Sequence, residues 1–529
     1  MTINRVRRSS IIPGSLPVAV LATCALVLGL VVPGFTLAAQ HHVLPIDVNS
    51  STADRTEKPV NAPIDLTVFL GLVGGSLDLE SLQVTEVDMD GHYLDTGVLF
   101  QFDTDPGFDP LTQVSGNLVF IMGGETLAGT TRHYQLWFDL EGGCADCPPP
   151  PVVTNPVTVD SLTYENQLTY LVATPRADYY YHTEGAGLAS LIDNDSQDWI
   201  SFHDISGSRT AGEYRGIPNL VFKENQPANS YFHPGFTNAH SNVVSAGPLK
   251  VTVFSESDDP ANLWQVRWEF YPAYARLTVL TVGTTNSGDY WFLYEGTVGG
   301  AMDEDDVVVR SNGLETSAFA YGDQWEEILP DPVWVYFRDL SVSRILYLVD
   351  DLGDSEPDSY LPMGQSSGST PEMTVFGFGR VLHTSPNSLV PRMSGAGRTF
   401  TIGFGEDHTA ADVDIAAAYE PLLVTVGEPN TGATSVDNDR VPAPAVLHQN
   451  FPNPFNPRTV VSFTLSAASP VRLDVLDLQG RRVAKLVDQT MPAGPHAVTF
   501  DGENLPSGMY IARLITDHGS TERKMMLVR

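Results

Sequence analysis

The chain has 529 residues, and 64 acidic against 29 basic side chains leave it with a formal charge of -35 at pH 7. A surface of that sign repels polyanions, so nucleic acid and anionic lipid are excluded as partners, while a hard cation such as calcium stays open. With only 3 cysteines the fold cannot be a disulfide scaffold, and the length calls for more than one hydrophobic core.

Arg5, Arg7 and Arg8 precede the apolar stretch Val18 to Val32, and Thr36-Leu37-Ala38-Ala39 then offers small residues for cleavage. This pattern predicts a signal peptide over 1–39, which would take Cys24 with it. No later apolar run is long enough to span a bilayer, so no transmembrane anchor is expected in the mature chain.

From 60 to 141, apolar and polar residues alternate in Ile64 to Leu72, Leu82 to Val87, Val98 to Phe102, Gly116 to Ile121 and His133 to Phe138. Period-two runs of this kind predict strands, and together a small N-terminal β-sandwich. Between two of them lies Asp103-Thr104-Asp105-Pro106-Gly107-Phe108-Asp109, which makes Asp103, Asp105 and Asp109 candidate calcium ligands. Val114 stands where an EF-hand would close on glutamate, and a solvated acidic turn is the competing reading.

Residues 142–156 form a hinge rich in cysteine and proline. Pro148 to Pro151 favour an extended spacer that cannot join a sheet. Cys144 and Cys147 stand just before it, without the His that haem attachment needs or the two further ligands of a zinc site. The pair is expected to close a small disulfide loop in an oxidising compartment.

The stretch 157–426 is long enough for one large core. It alternates in Leu249 to Ser255, Trp264 to Phe270, Ala275 to Val282, Tyr290 to Tyr294, Trp334 to Phe337, Arg344 to Val349, Met373 to Phe378 and Arg398 to Phe404. Ala411 to Ala418 is one of few helical candidates, and neither a P-loop nor a dinucleotide fingerprint occurs. A large central antiparallel β-sandwich is predicted.

Its side chains suit a sugar. Trp199, Trp268, Tyr271 and Trp291 could stack on pyranose faces. His233 or His240 would serve as general base or acid, with Glu269 or Glu295 as partner, and Arg215, Arg267 or Arg276 would neutralise a substrate carboxylate. His233 precedes Pro234, which pushes it into an extended conformation on a loop rim. On a strand, Arg267, Glu269 and Tyr271 share one face and Trp268 and Phe270 the other, so the polar row reads as a site floor or a solvated sheet face. Asp193, Asp195 and Asp198 read as turn caps, with calcium as the alternative. No cofactor is required; calcium is the one candidate.

The segments Gly212 to Asn219, Tyr231 to Phe236, Val266 to Arg276 and Tyr290 to Gly296 make the central unit similar to the galactose-mutarotase-like supersandwich of sugar epimerases and polysaccharide lyases. That resemblance is architectural and implies a glycan-handling fold; the epimerases' His and Glu signatures do not align onto this chain.

Residues 427–446 are poor in apolar side chains and predict a flexible linker. Beyond it, 447–529 opens with Gln449-Asn450-Phe451-Pro452-Asn453-Pro454-Phe455-Asn456-Pro457, whose prolines force an extended entry. Alternating runs follow from Val460 to Leu465, Val471 to Leu476, Arg482 to Leu486, Ala497 to Phe500, Met509 to Ile515 and Arg523 to Val528, as in a small immunoglobulin-like sandwich. The opening motif, Leu476-Asp477-Leu478-Gln479-Gly480-Arg481-Arg482-Val483, Leu505-Pro506-Ser507-Gly508-Met509-Tyr510 and the basic end resemble the C-terminal sorting domain of proteins exported by the type IX secretion system. The resemblance implies export through that machinery to the cell surface or medium, with the tail removed or used for attachment.

The sequence therefore describes an all-β, multi-domain, secreted or surface protein. Its central domain is read as binding or processing carbohydrate, lyase-like or epimerase-like if catalytic. The alternative is a non-catalytic surface or matrix protein built from β-sandwich modules.

Overall fold

The computed structural model describes residues 42–141, 151–154, 156–200, 221–223, 231–232, 239–257, 264–282, 289–300, 302–317, 324–363, 373–381, 390–391, 393–431, 446–447, 450, 453, 455–465, 469–477, 481–492, 494–503, 505–516 and 519–528. The leader, Cys144 and Cys147 of the hinge, and His233 with Arg215 lie outside these residues. The described chain is nearly all β, in antiparallel sheets with no barrel.

The N-terminal sandwich pairs Arg55–Asp65, Ser115–Thr126 and Phe100–Thr104 in one sheet and His42–Asn49, Thr131–Leu140, Leu77–Val87 and Tyr93–Asp95 in the other. Ile46, Val60, Ala62, Leu118, Phe120 and Leu136 fill the core between them. Three features depart from the sequence expectation. The sandwich begins at His42 and not near residue 60. The run expected as one strand from Ile64 to Leu72 divides into the end of Arg55–Asp65 and a short helix, α1 (Thr67–Val73), which buries Leu70 while Val68 and Leu72 face solvent. Finally, Leu423–Val426, expected to end the central unit, and Asn430–Thr431, expected within a flexible linker, add to this sheet as neighbours of His42–Asn49, with Ile46 opposite Val426, Asn49 opposite Leu423 and His42 opposite Thr431. The central domain is thus an insertion, and the strand that follows it completes the N-terminal sandwich.

The central domain packs a nine-stranded sheet, running from Ala239–Ala246 to Glu315–Ser317, over a seven-stranded one that contains Asp289–Gly296, Met373–Phe378 and Asp358–Met363. A four-stranded sheet from Thr158–Tyr164 to Gly187–Asp193 closes one side. Alternation decides which side chains enter. In Gln265–Phe270, Val266, Trp268 and Phe270 go into the core beside Tyr294, Phe337, Phe376 and Phe400, while Arg267 and Glu269 point the other way.

Part of that outer face of the nine-stranded sheet is covered. The second helix, α2 (Ala411–Tyr419), lies on it through Ala411, Ile415 and Ala418, and Val119 with the partly buried Leu99 and Ile121 of the N-terminal sandwich packs beside them against Tyr271, Tyr274 and Tyr347. A helix ends with carbonyls that lack partners and a negative dipole end, and here three cations meet them. Arg55 Nη1 donates to Ala416 O at 2.8 Å and Nη2 to Glu420 at 3.1 Å. Lys58 Nζ donates to Ala417 O and Ala418 O, both at 2.6 Å, and Arg276 Nη2 reaches Ala418 O at 3.2 Å. Burial, then Arg276 and Arg55, hold the Lys58 amine well below its ordinary pKa. Asp351, 3.2 Å from Arg276, offsets part of the positive charge.

Breaking a buried charge pair leaves an unpaired group behind, at a cost of about 3 kcal/mol or more. Arg55→Ala is therefore expected to lower stability by roughly that amount and to separate the melting of the two sandwiches into two transitions, read by urea unfolding of the full chain.

Candidate functional site

Within the polar row nominated in the sequence, Glu269 (through Lys250) and Tyr271 meet the N-terminal sandwich, whereas the Arg267 side chain stays 42% exposed beside Glu269. Glu269 lies 3.3 Å from Lys250 Nζ and 3.7 Å from Arg267, and Lys250 Nζ stands 2.9 Å from Asp103 of the N-terminal sandwich. The Tyr271 hydroxyl donates to Asn61 Oδ1 at 3.3 Å, and burial followed by the Glu269 charge raises its pKa well above the usual. Arg276 belongs to the cluster on α2.

The tryptophans go inward. Trp199 and Trp268 are 0% exposed, which gives no sugar access to either ring. Trp199 Nε1 donates to Asp193 Oδ2 at 2.9 Å, and Asp193 Oδ1 accepts from the backbone of Asp195 and Gln197. Asp193 therefore caps its own turn. Asp195 is 2.6 Å from Arg344. Trp268 stacks on Phe270 in the core.

Trp291 and Glu295 lie on the outer face of the seven-stranded sheet, two pleats apart, with Tyr290, Phe292 and Tyr294 facing inward. Arg380, which no local sequence pattern singles out, places its guanidinium 5.9 Å from the Trp291 ring centre. All three are buried. His240 is exposed on the edge strand of the other sheet, opposite Glu256. Thus His240, Glu269 and Glu295 are not brought together, and His233 and Arg215 fall outside the described residues, as do Cys144 and Cys147.

The calcium candidates also part company. Asp103 faces Lys250, Asp109 accepts from Leu111 N, Thr112 N and Thr112 Oγ1 within its own turn, and Asp105 is exposed. Among the described residues the one group of three such ligand atoms lying close together is Asp88, Asp90 and His92, on a surface turn that Asp88 itself caps.

Carboxylates with displaced pKa values occur where no sequence pattern marks them, because burial alone displaces them. Asp306 is 0% exposed and is pushed up to about 8, chiefly by burial; Asp350, paired with Arg398 at 2.5 Å, is pushed up to about 6 for the same reason. They stand on different strands of the nine-stranded sheet. Folded Asp306 keeps a proton that the unfolded chain releases above its ordinary value of 3.8. Its contribution to stability is complete below about pH 4 and is lost as pH rises through about 8. Asp306→Asn should flatten that slope and exceed the parent in stability at pH 8 and above, as thermal unfolding across the window would show.

The remaining module is built around its opening motif. Strands Arg458–Leu465 and Gly494–Asp501, with the short Val446–Leu447, form one sheet, and Arg482–Met491, Ser469–Leu476, Gly508–Thr516 and Gly519–Leu527 form the other. Val461, Phe463, Leu473, Val475, Leu514 and Met525 lie between them. The motif is stitched to the last strand: Phe455 N donates to Met526 O at 2.8 Å, Val528 N to Phe455 O at 3.0 Å, and Met526 N to Asn453 Oδ1 at 2.7 Å. Phe455 itself is 1% exposed, and the buried Asn450 donates to Thr459 Oγ1 at 2.9 Å. Tyr510 OH donates to Pro506 O at 2.8 Å, a backbone tie of the kind that immunoglobulin-like corners use. Asp477 accepts from Arg481 through both backbone and guanidinium, closing the Leu476 to Arg482 segment. The motifs that are far apart in sequence thus meet in one small sandwich.

With this third sandwich, the described chain is a modular β-protein. Residues 449–528 match the family described as the secretion system C-terminal sorting domain, and this part of the chain belongs to it. The protein is exported by the type IX secretion system to the cell surface or the medium, and the domain implies interaction with that machinery. Among the described residues no helix is long and apolar enough to cross a membrane. No curated relative matches. Among solved structures, dimeric latent PorU from Porphyromonas gingivalis is 10% identical over 92% of this chain and 34% of its own (TM-score 0.15). PorZ, a surface component of the type IX system of the same organism, is 8% identical over 84% and 68% (TM-score 0.13). HI1317 is 13% identical over 48% of this chain and 98% of its own (TM-score 0.34).

Proposed function

We propose that the exported chain acts outside the cell as a non-catalytic surface or matrix module, in which the N-terminal and central sandwiches work as one jointed body. The observation that supports this reading is the fate of the polar row. Glu269, a candidate partner of the acid or base, Arg267, a candidate substrate clamp, and Tyr271, a candidate platform, spend their charges and hydroxyl on Lys250, on one another and on Asn61 across the joint. A group engaged in such a network is poorly placed to exchange protons with a substrate. Incubating the full chain with uronic-acid polysaccharides and following unsaturated product is expected to give none. Tyr271→Phe should cost about 1 kcal/mol of stability through the lost hydrogen bond and leave any glycan retention unchanged. Turnover that falls with Tyr271→Phe would return that face to the active-site reading.

Carbohydrate binding is the alternative, but Trp291, Glu295 and Arg380 are 2%, 6% and 3% exposed, so this face gives a sugar no more access than Trp199 or Trp268 does. Retention of the full chain on immobilised polysaccharides would restore that alternative; elution with an unrelated folded protein would remove it. The export reading has its own test. A chain lacking 447–529 should accumulate in the periplasm of a host with the type IX machinery, and normal surface delivery of that truncated chain would refute it.

A further inference from the structure

We propose that Lys250 and Asp103 become joined by an intramolecular isopeptide bond, promoted by Glu269, that ties the N-terminal sandwich covalently to the nine-stranded sheet. The three groups form the reactant geometry of an amide condensation. Lys250 Nζ is 2.9 Å from Asp103 Oδ2 and 3.3 Å from Glu269 Oε1. With Nζ already 2.9 Å from the carboxyl oxygen, a small rotation of the Asp103 carboxyl group brings its carbon toward the lysine nitrogen.

The site is largely buried and held in place. The side chains of Lys250, Asp103 and Glu269 are 4%, 13% and 15% exposed. Gln101 fixes both reactants: its Nε2 donates to Asp103 Oδ1 at 2.6 Å and to Lys250 O at 2.9 Å, while its Oε1 accepts from Leu249 N and Lys250 N at 2.9 Å each. Gly247 makes room for this, since a Cβ there would lie 2.3 Å from Gln101 Cδ. Asp103 Oδ2 is sealed from water, and Lys250 Nζ at 2.9 Å is the polar group set against it.

The step balances without any further reagent. Glu269 passes a proton from the Lys250 ammonium to Asp103 Oδ2, leaving an amine with a free lone pair beside a carboxylic acid. The lone pair forms the Nζ–Cγ bond. Glu269 then takes a proton from that nitrogen and delivers it to the Oδ2 hydroxyl; the Cγ–Oδ2 bond breaks and one water leaves. Amine plus acid become amide plus water, nothing is oxidised or reduced, and Glu269 ends as the carboxylate it was. Exclusion of bulk water disfavours the reverse hydrolysis, and the fixed geometry replaces the activation that an intermolecular condensation would need. For a protein displayed outside the cell, the bond would keep the two sandwiches together under force or partial proteolysis.

Intact-mass measurement on the folded full chain tests the bond directly. The expected mass is that of the polypeptide less one water, and proteolysis should release a branched peptide that joins the Lys250 and Asp103 segments, with no tryptic cut at Lys250. Glu269→Gln and Lys250→Arg should each regain the missing water while far-UV circular dichroism stays that of a folded β-protein. A folded parent with its full mass, a water loss that maps to another pair, or a loss that persists in Lys250→Arg would overturn the proposal. If a variant fails to fold, the parent's mass and peptide map are enough by themselves to establish the bond or to overturn it.

Discussion

Three cations seated on the C-terminal end of α2 are the contact on which the arrangement of the two large sandwiches depends. A helix end buried against a sheet would leave carbonyls without partners, which is costly in a medium of low dielectric. Arg55 and Lys58 come from the N-terminal sandwich and Arg276 from the nine-stranded sheet, so satisfying one helix terminus draws both domains to the same place. Their mutual repulsion is offset by Asp351 and Glu420, and the Tyr274 ring lies 4.8 Å from Lys58 Nζ.

The topology reinforces that contact. Because Leu423–Val426 returns to pair with His42–Asn49, the chain enters and leaves the central domain through the N-terminal sandwich, and the second polar cluster, Lys250 with Asp103 and Glu269, lies on the same covered face. Residues that looked like a substrate clamp are thereby consumed as the joint between modules. Polar groups on a strand can meet a ligand, water or another domain, and the alternation of the strand alone does not choose among them.

Much of the fold was legible in the sequence. Period-two alternation identified Gln265–Phe270, Asp289–Gly296, Met373–Phe378 and Thr399–Gly405 as strands and placed Trp268 and Phe270 on one shared face, as the structure has them. Ala411–Tyr419 is the helix that Ala411 to Ala418 suggested. The pattern misled at Ile64 to Leu72, where a short apolar run suits strand and helix equally, and at the end of the central unit, where Leu423–Val426 pairs with a strand far away in the chain. The candidate site was legible only as residue types. Burial of Trp199 beneath Asp193, and the approach of Arg380 to Trp291, arise from packing between segments that no local pattern relates.

By itself the sequence determined the class and the address: strand periodicity, an acidic balance, and the Asn453-Pro454-Phe455-Asn456-Pro457 entry with its basic end are local or compositional properties, and they remain readable without coordinates. Only the tertiary structure decided that Phe455 is clamped to Met526 and Val528, that the central domain is inserted in the first sandwich, and that Tyr271, with Glu269 through Lys250, meets a neighbouring module. The reason is physical. A strand specifies which side chains share a face, whereas what that face meets depends on long-range pairing and on the charges that must be satisfied when two surfaces close.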